Sequence, residues 1–149
     1  MSRSHIPAET RRRVRQRANG RCEYCLLPEE VGFVPHEVDH VVAEKHGGRA
    51  ETDNLALCCT LCNKYKGTDL TSIDPETGSI TPLYHPRRDR WAEHFRLDQG
   101  LIVPLTATGR VSVALLRLND PHVSEVRRLL LAKGIDLSQG GTGQDLPAG

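Results

Sequence analysis

Aromatic residues are scarce in this chain of 149 residues, which has one Trp, three Tyr and two Phe alongside a single Met. With so few large side chains and a mean hydropathy of −0.45, the buried core must be modest, although the length suffices for one domain with an appendage. Long apolar runs are also missing. No stretch approaches the roughly 18 apolar residues of a membrane span, and the opening Met1-Ser2-Arg3-Ser4-His5-Ile6-Pro7 has no apolar core of signal-peptide length. The expectation is a soluble, cytoplasmic protein with no membrane partner. Net charge is nearly absent at +1, so bulk basicity gives no argument for a polyanionic partner. No internal repeat is present.

What is present is unevenly distributed. Arg11, Arg12, Arg13, Arg15, Arg17 and Arg21 crowd the N-terminal segment, opposed there only by Glu9 and Glu23. A locally basic face of this kind can bind phosphate despite a neutral total; a solvated helix face is the plain alternative. The five cysteines are also clustered, four of them forming Cys22-x-x-Cys25 and Cys59-x-x-Cys62. In a reducing compartment such pairs favour metal over disulfides. Thiolates bind zinc tetrahedrally, and a two-residue spacer lets one turn present both sulfurs to an ion while its amides offset the charge. The two pairs therefore predict a four-cysteine structural zinc site. Cys58 competes with Cys59 for the fourth place, but only Cys59 keeps the two-residue gap, which leaves Cys58 as a small buried hydrophobe.

The remaining patterning outlines the elements. Pro7 to Asn19 reads as a surface helix with sparse apolar positions at Val14 and Ala18 and a stop at Gly20. His36 to Ala43 and Asn54 to Cys58 read as two short strands separated by a polar Gly-Gly loop, and Thr60 to Lys66 as a helix closed by Gly67. Further on, Asp74-Pro75-Glu76-Thr77-Gly78 is a turn and Leu97 to Val103 a second hairpin. Thr108 to Leu118 and Asp120 to Lys133 show helical apolar spacing, the latter with an acidic cap, Pro121 at its first position and Gly134 at its end. Three parts are expected: 1–70 as basic helix, zinc knuckles and the hairpin–helix core, 71–137 as an α+β extension packed on it, and a disordered, Gly-rich tail over 138–149.

The organising stretch is Val38-Asp39-His40-Val41-Val42, read with His46-Gly47-Gly48, Asn54-Leu55-Ala56-Leu57 and Cys59-Thr60-Leu61-Cys62-Asn63-Lys64-Tyr65-Lys66-Gly67. In order and spacing these residues resemble the HNH endonucleases, or ββα-metal nucleases. Pro82-Leu83-Tyr84-His85-Pro86-Arg87-Arg88-Asp89-Arg90-Trp91-Ala92-Glu93-His94-Phe95 is similar to an extension in a bacterial subgroup of that family. The resemblance implies an α+β fold: a ββα-metal core stapled by zinc, preceded by the basic helix and followed by a hairpin and two helices.

It also implies chemistry. His40 would be the general base that takes a proton from the attacking water, and an ordinary imidazole can do this near neutral pH. Asp39 and Asn63 would hold a catalytic divalent ion, and Asn54 would fix the loop by bonding backbone. Asn63 stands where histidine is usual, and with oxygen ligands the expected ion is magnesium or manganese. The plain alternatives are a structural His40, a solvated Asp39 and an Asn63 that caps its helix. Arg11, Arg12, Arg15, Arg21, Arg49, Lys64 and Lys66 are the expected contacts to DNA phosphates, with little base discrimination. His46 and His85 are weaker additions, and Trp91 and Phe95, at i and i+4, read as core. The leading expectation is an endonuclease that nicks or cuts DNA, leaving 5′ phosphate and 3′ hydroxyl ends. The rival is a zinc-stabilised nucleic-acid-binding module without catalysis.

Overall fold

The computed structural model of the chain describes residues 5–137; the expected disordered tail Ser138–Gly149 and the first four residues lie outside them. Helix α1 (Ala8–Arg17) starts at Pro7, whose missing N–H costs nothing at a helix start. It buries only Val14 among its own residues. Val14 and Ala18 seat it against Ile6, Val38, Leu55 and Leu57, a small apolar cluster in which each full-size aliphatic side chain contributes about 2 kcal/mol. Asn19 and Gly20, at φ 54° and 67°, turn the chain away through the left-handed region.

Strands β1 (Glu37–His40) and β2 (Leu55–Cys58) pair antiparallel, with Val38 opposite Leu57, Asp39 opposite Ala56 and His40 opposite Leu55. The first strand is shorter than its β-branched sequence suggests, because after His40 the chain leaves the ladder. Val41 N then donates to the Asn54 backbone carbonyl at 2.8 Å, and Val42 N to the Asn54 side chain at 2.9 Å. Helix α2 (Thr60–Lys66) follows at once and ends at Gly67, as its sequence predicts.

The region after residue 70 holds two hairpins rather than one. The turn at Asp74–Gly78 is the tip of a hairpin formed by β3 (Thr71–Ile73) and β4 (Ile80–Pro82). A one-turn helix α3 (Trp91–His94) leads into β5 (Phe95–Asp98) and β6 (Leu101–Pro104), which pair around Gln99-Gly100. Helices α4 (Ala107–Leu115) and α5 (Pro121–Ala132) close the described chain, and the Asp120 carboxylate caps α5 by accepting from His122 N at 3.0 Å.

The larger core cluster joins both halves. Cys22, Tyr24, Cys25, Leu26, Cys59 and Cys62 pack with Tyr84, Trp91, Phe95, Ile102 and Leu118. Trp91 lies with its ring centroid 5.0 Å from that of Phe95 and donates its indole N–H to the Tyr24 carbonyl at 3.2 Å, which satisfies the one polar atom it buries. Four of the six aromatic residues, Tyr24, Tyr84, Trp91 and Phe95, are thus buried where the extension meets the zinc knuckles, whereas Phe33 is exposed. The chain has α+β architecture, and no helix among the described residues is long and apolar enough to cross a membrane.

Candidate metal centre and active site

Cys22, Cys25, Cys59 and Cys62 are all buried, and their sulfurs lie within 4.8 Å of one another. Tetrahedral zinc with Zn–S bonds of about 2.3 Å would set sulfurs roughly 3.8 Å apart; Cys25 Sγ and Cys59 Sγ stand 3.6 Å apart. Backbone amides already point at the sulfurs, Cys25 N to Cys22 Sγ at 3.5 Å and Cys62 N to Cys59 Sγ at 3.4 Å. The second of these makes Cys59 the N-cap of α2. Burial would push the Cys22 thiol up, but hydrogen bonding with Cys25, Cys58, Cys59 and Cys62 holds it well below the usual thiol value. The set fits zinc. Cys58 is outside it, with its thiol donating to the Cys59 carbonyl at 3.4 Å, so the choice between neighbouring cysteines falls on Cys59.

Strand β1 sorts its side chains by alternation. Val38 and His40 are buried, whereas Glu37 is exposed and Asp39 half-buried on the other face. His40 Nε2 is sealed from water without a hydrogen-bond partner and lies 3.7 Å from the Glu44 carboxylate. Asn63, on α2, donates its side-chain amide to the Glu37 carboxylate. That bond draws the helix residue onto the strand face that carries Asp39. Glu37 is the residue sequence reasoning missed, and the signal was available, since positions i and i+2 of a strand share a face.

Asn54 makes a closed set of backbone contacts. Its Oδ1 accepts from Val42 N at 2.9 Å, and its Nδ2 donates to Val42 O at 2.9 Å and to Arg49 O at 3.0 Å. Gly48 permits this: a Cβ there would lie 1.7 Å from the Val42 carbonyl oxygen and 2.8 Å from Asn54 Nδ2. The glycine is needed for close approach rather than for a positive φ.

The basic residues divide into two groups. Arg15 donates to the His36 carbonyl at 2.8 Å and pairs with Glu29 at 3.2 Å; Arg12 pairs with Glu9. Arg17 spans to the carbonyls of Thr52 and Leu55 at 2.9 and 2.7 Å, tying α1 to the hairpin. Lys66 is inside rather than at the surface, donating its ammonium to the Val41 carbonyl at 2.7 Å. Burial lowers its pKa, with the Asp39 carboxylate acting in the opposite sense. Arg21 is half-buried beside Pro28, whereas Arg11, Arg49 and Lys64 are exposed. A cleft of about 370 Å³ is lined by Arg11, Arg15, Glu37, Asp39 and His40.

A zinc-capable tetrathiolate joined to a short hairpin and helix defines the class as a zinc-stapled ββα domain. Residues 22–69 match the family described as HNH endonuclease. The match ends ahead of Pro82–Phe95 and does not extend to the subgroup resemblance there. No curated protein and no solved structure matches the chain. The match supports a nuclease-type function at family level, and a family of that type implies a nucleic-acid substrate.

Proposed function

We propose that the chain is a metal-dependent endonuclease that hydrolyses DNA phosphodiester bonds, with His40 as general base. The observation that carries this reading is the Asn63–Glu37 hydrogen bond, which brings α2 against the strand bearing Asp39 and His40 within the family-matched segment. Asp39 and Asn63 would hold the divalent ion, with Glu37 as a further oxygen donor. Such a hard-oxygen set suits magnesium or manganese. The bound ion would supply charge stabilisation at the phosphate and the leaving oxygen.

The protein's own residues do the rest. The Glu44 carboxylate near His40 Nε2 favours the tautomer protonated at that nitrogen, which leaves Nδ1 to accept a proton from water. As the water oxygen bonds to phosphorus, its proton passes to Nδ1 and the bond from phosphorus to the 3′ oxygen breaks. Asn54 is a positioning residue: by pinning Val42 it fixes where β1 ends and hence where His40 stands. Arg11 at the cleft wall is placed to meet a flanking phosphate, whereas Lys66 serves the fold from inside.

The reading is tested with zinc-loaded protein on supercoiled plasmid, with and without added magnesium. Magnesium-dependent relaxation supports it. Intact plasmid under both conditions, with DNA still bound, would instead support the non-catalytic binding module.

A further inference from the structure

A second cleft, of about 460 Å³, opens between the Gly47-Gly48 loop and the turn at His85–Asp89. It shares no lining residue with the cleft that holds Asp39 and His40. His85 is locked by its own turn. Its amide donates to Asp89 Oδ2 at 2.9 Å, and its carbonyl accepts from Asp89 N at 2.8 Å. Its ring Nδ1 accepts from the amides of Arg87 and Arg88 at 3.1 and 3.2 Å. A ring nitrogen that accepts in this way carries no proton, so the neutral imidazole bears its proton on Nε2 as a fixed donor. Burial and the neighbouring Arg88 charge lower the pKa of this imidazole and keep it neutral.

Arg87 supplies a second, independent sign of a missing ligand. Its side chain is only 8% exposed and pairs with the fully buried Glu23, yet its Nε and Nη1 are buried without hydrogen-bond partners. Glu23 is already shared, accepting from Leu57 N at 2.8 Å and lying within electrostatic range of Arg17. Buried donors of a cation left unpaired are costly, and an anion in the cleft would relieve that cost. Arg88 is exposed beside them and makes no ion pair among the described residues. Glu51 and Asp53 on the opposite wall disfavour a multiply charged anion and so select a singly charged one.

We propose that this cleft binds an uncut backbone phosphodiester of the nucleic acid, with His85 Nε2–H, Arg88 and Arg87 as its donors. The proposal rests on the nucleic-acid reading above and gives the turn at 85–89 a role in holding substrate. The test is fluorescence anisotropy of a short DNA duplex with zinc-loaded protein, without magnesium, across a salt series. Arg88→Ala and His85→Gln should each weaken binding about five- to tenfold; Arg88→Ala should also lower the salt slope by about one ion, whereas His85→Gln, which removes a neutral donor, should leave the slope as in wild type. Arg88 is exposed, so its truncation keeps the test valid if His85→Gln disturbs the turn. Wild-type affinity and salt slope in Arg88→Ala overturn the proposal, as does failure of the wild type to bind DNA. The nuclease reading is judged separately by plasmid relaxation in magnesium.

Discussion

Arg127 donates from Nη1 to the Cys25 carbonyl at 3.2 Å, joining α5 to the first zinc knuckle. The guanidinium is fully buried, and its other acceptors are the carbonyls of Gly100 and Leu118 and the Asn119 side chain. All of these are neutral. Four thiolates around one zinc carry a net negative charge, and the cysteines act to hold this buried cation charged while burial acts against it. The tetrathiolate therefore supplies the charge that makes a buried arginine tolerable in the extension.

Arg127→Met should accordingly destabilise the zinc-loaded protein by on the order of 3 kcal/mol and speed zinc release to a chromogenic chelator. Arg127→Lys should recover part of both. Urea denaturation and the chelator assay check this; unaltered zinc release in Arg127→Met would separate the arginine from the metal.

The two neighbouring cysteines should behave differently. Cys58→Ala should keep one equivalent of zinc and lose about 1 kcal/mol or less from a small packing change, whereas Cys59→Ala should lose the metal. Metal content after gel filtration distinguishes them, and zinc retained by Cys59→Ala would mean that Cys58 had taken its place.

Asn54→Ala removes three hydrogen bonds that hold Val42 and Arg49. A loss of about 2–3 kcal/mol in stability is expected, together with a fall in the rate constant for cleavage that exceeds any change in DNA affinity. A variant that weakens DNA binding without slowing bound-substrate cleavage would contradict the positioning role.

Acid sensitivity should centre on the extension. Hydrogen bonds from Arg110 hold the Asp74 carboxyl well below the usual carboxylate range, at 3.0 and 2.8 Å. A depressed folded-state pKa means the stabilisation is present above the unfolded value of about 3.9 and is lost as pH falls below it. Asp74→Asn should lower the melting temperature near neutral pH, and the gap to wild type should narrow steadily below about pH 4. A constant gap across that range would assign the effect to something other than this ion pair.

Much of the core was legible in the sequence because its signals are local. Thr60–Lys66 is bounded by a cysteine knuckle and Gly67, and α5 by Asp120, Pro121 and Gly134, so their limits follow from capping chemistry. The cysteine spacing fixes four ligands for the same reason. The hairpin of β3 and β4 was harder to see, since each strand has three residues with little burial and hence no apolar alternation to read. Lys66 was read as a phosphate contact because nothing in its neighbours announces that the Val41 carbonyl lies above it. The Asn63–Glu37 contact and the Arg127 cradle join residues 26 and 102 positions apart, and only the folded chain brings such pairs together.

The central claim, that His40 is the base of a phosphodiester-cleaving site, is tested most directly by single-turnover cleavage of plasmid with magnesium and zinc-loaded His40→Ala. The account predicts normal zinc content, DNA affinity near wild type and cleavage at least about 100-fold slower. Cleavage by His40→Ala at the wild-type rate would contradict it.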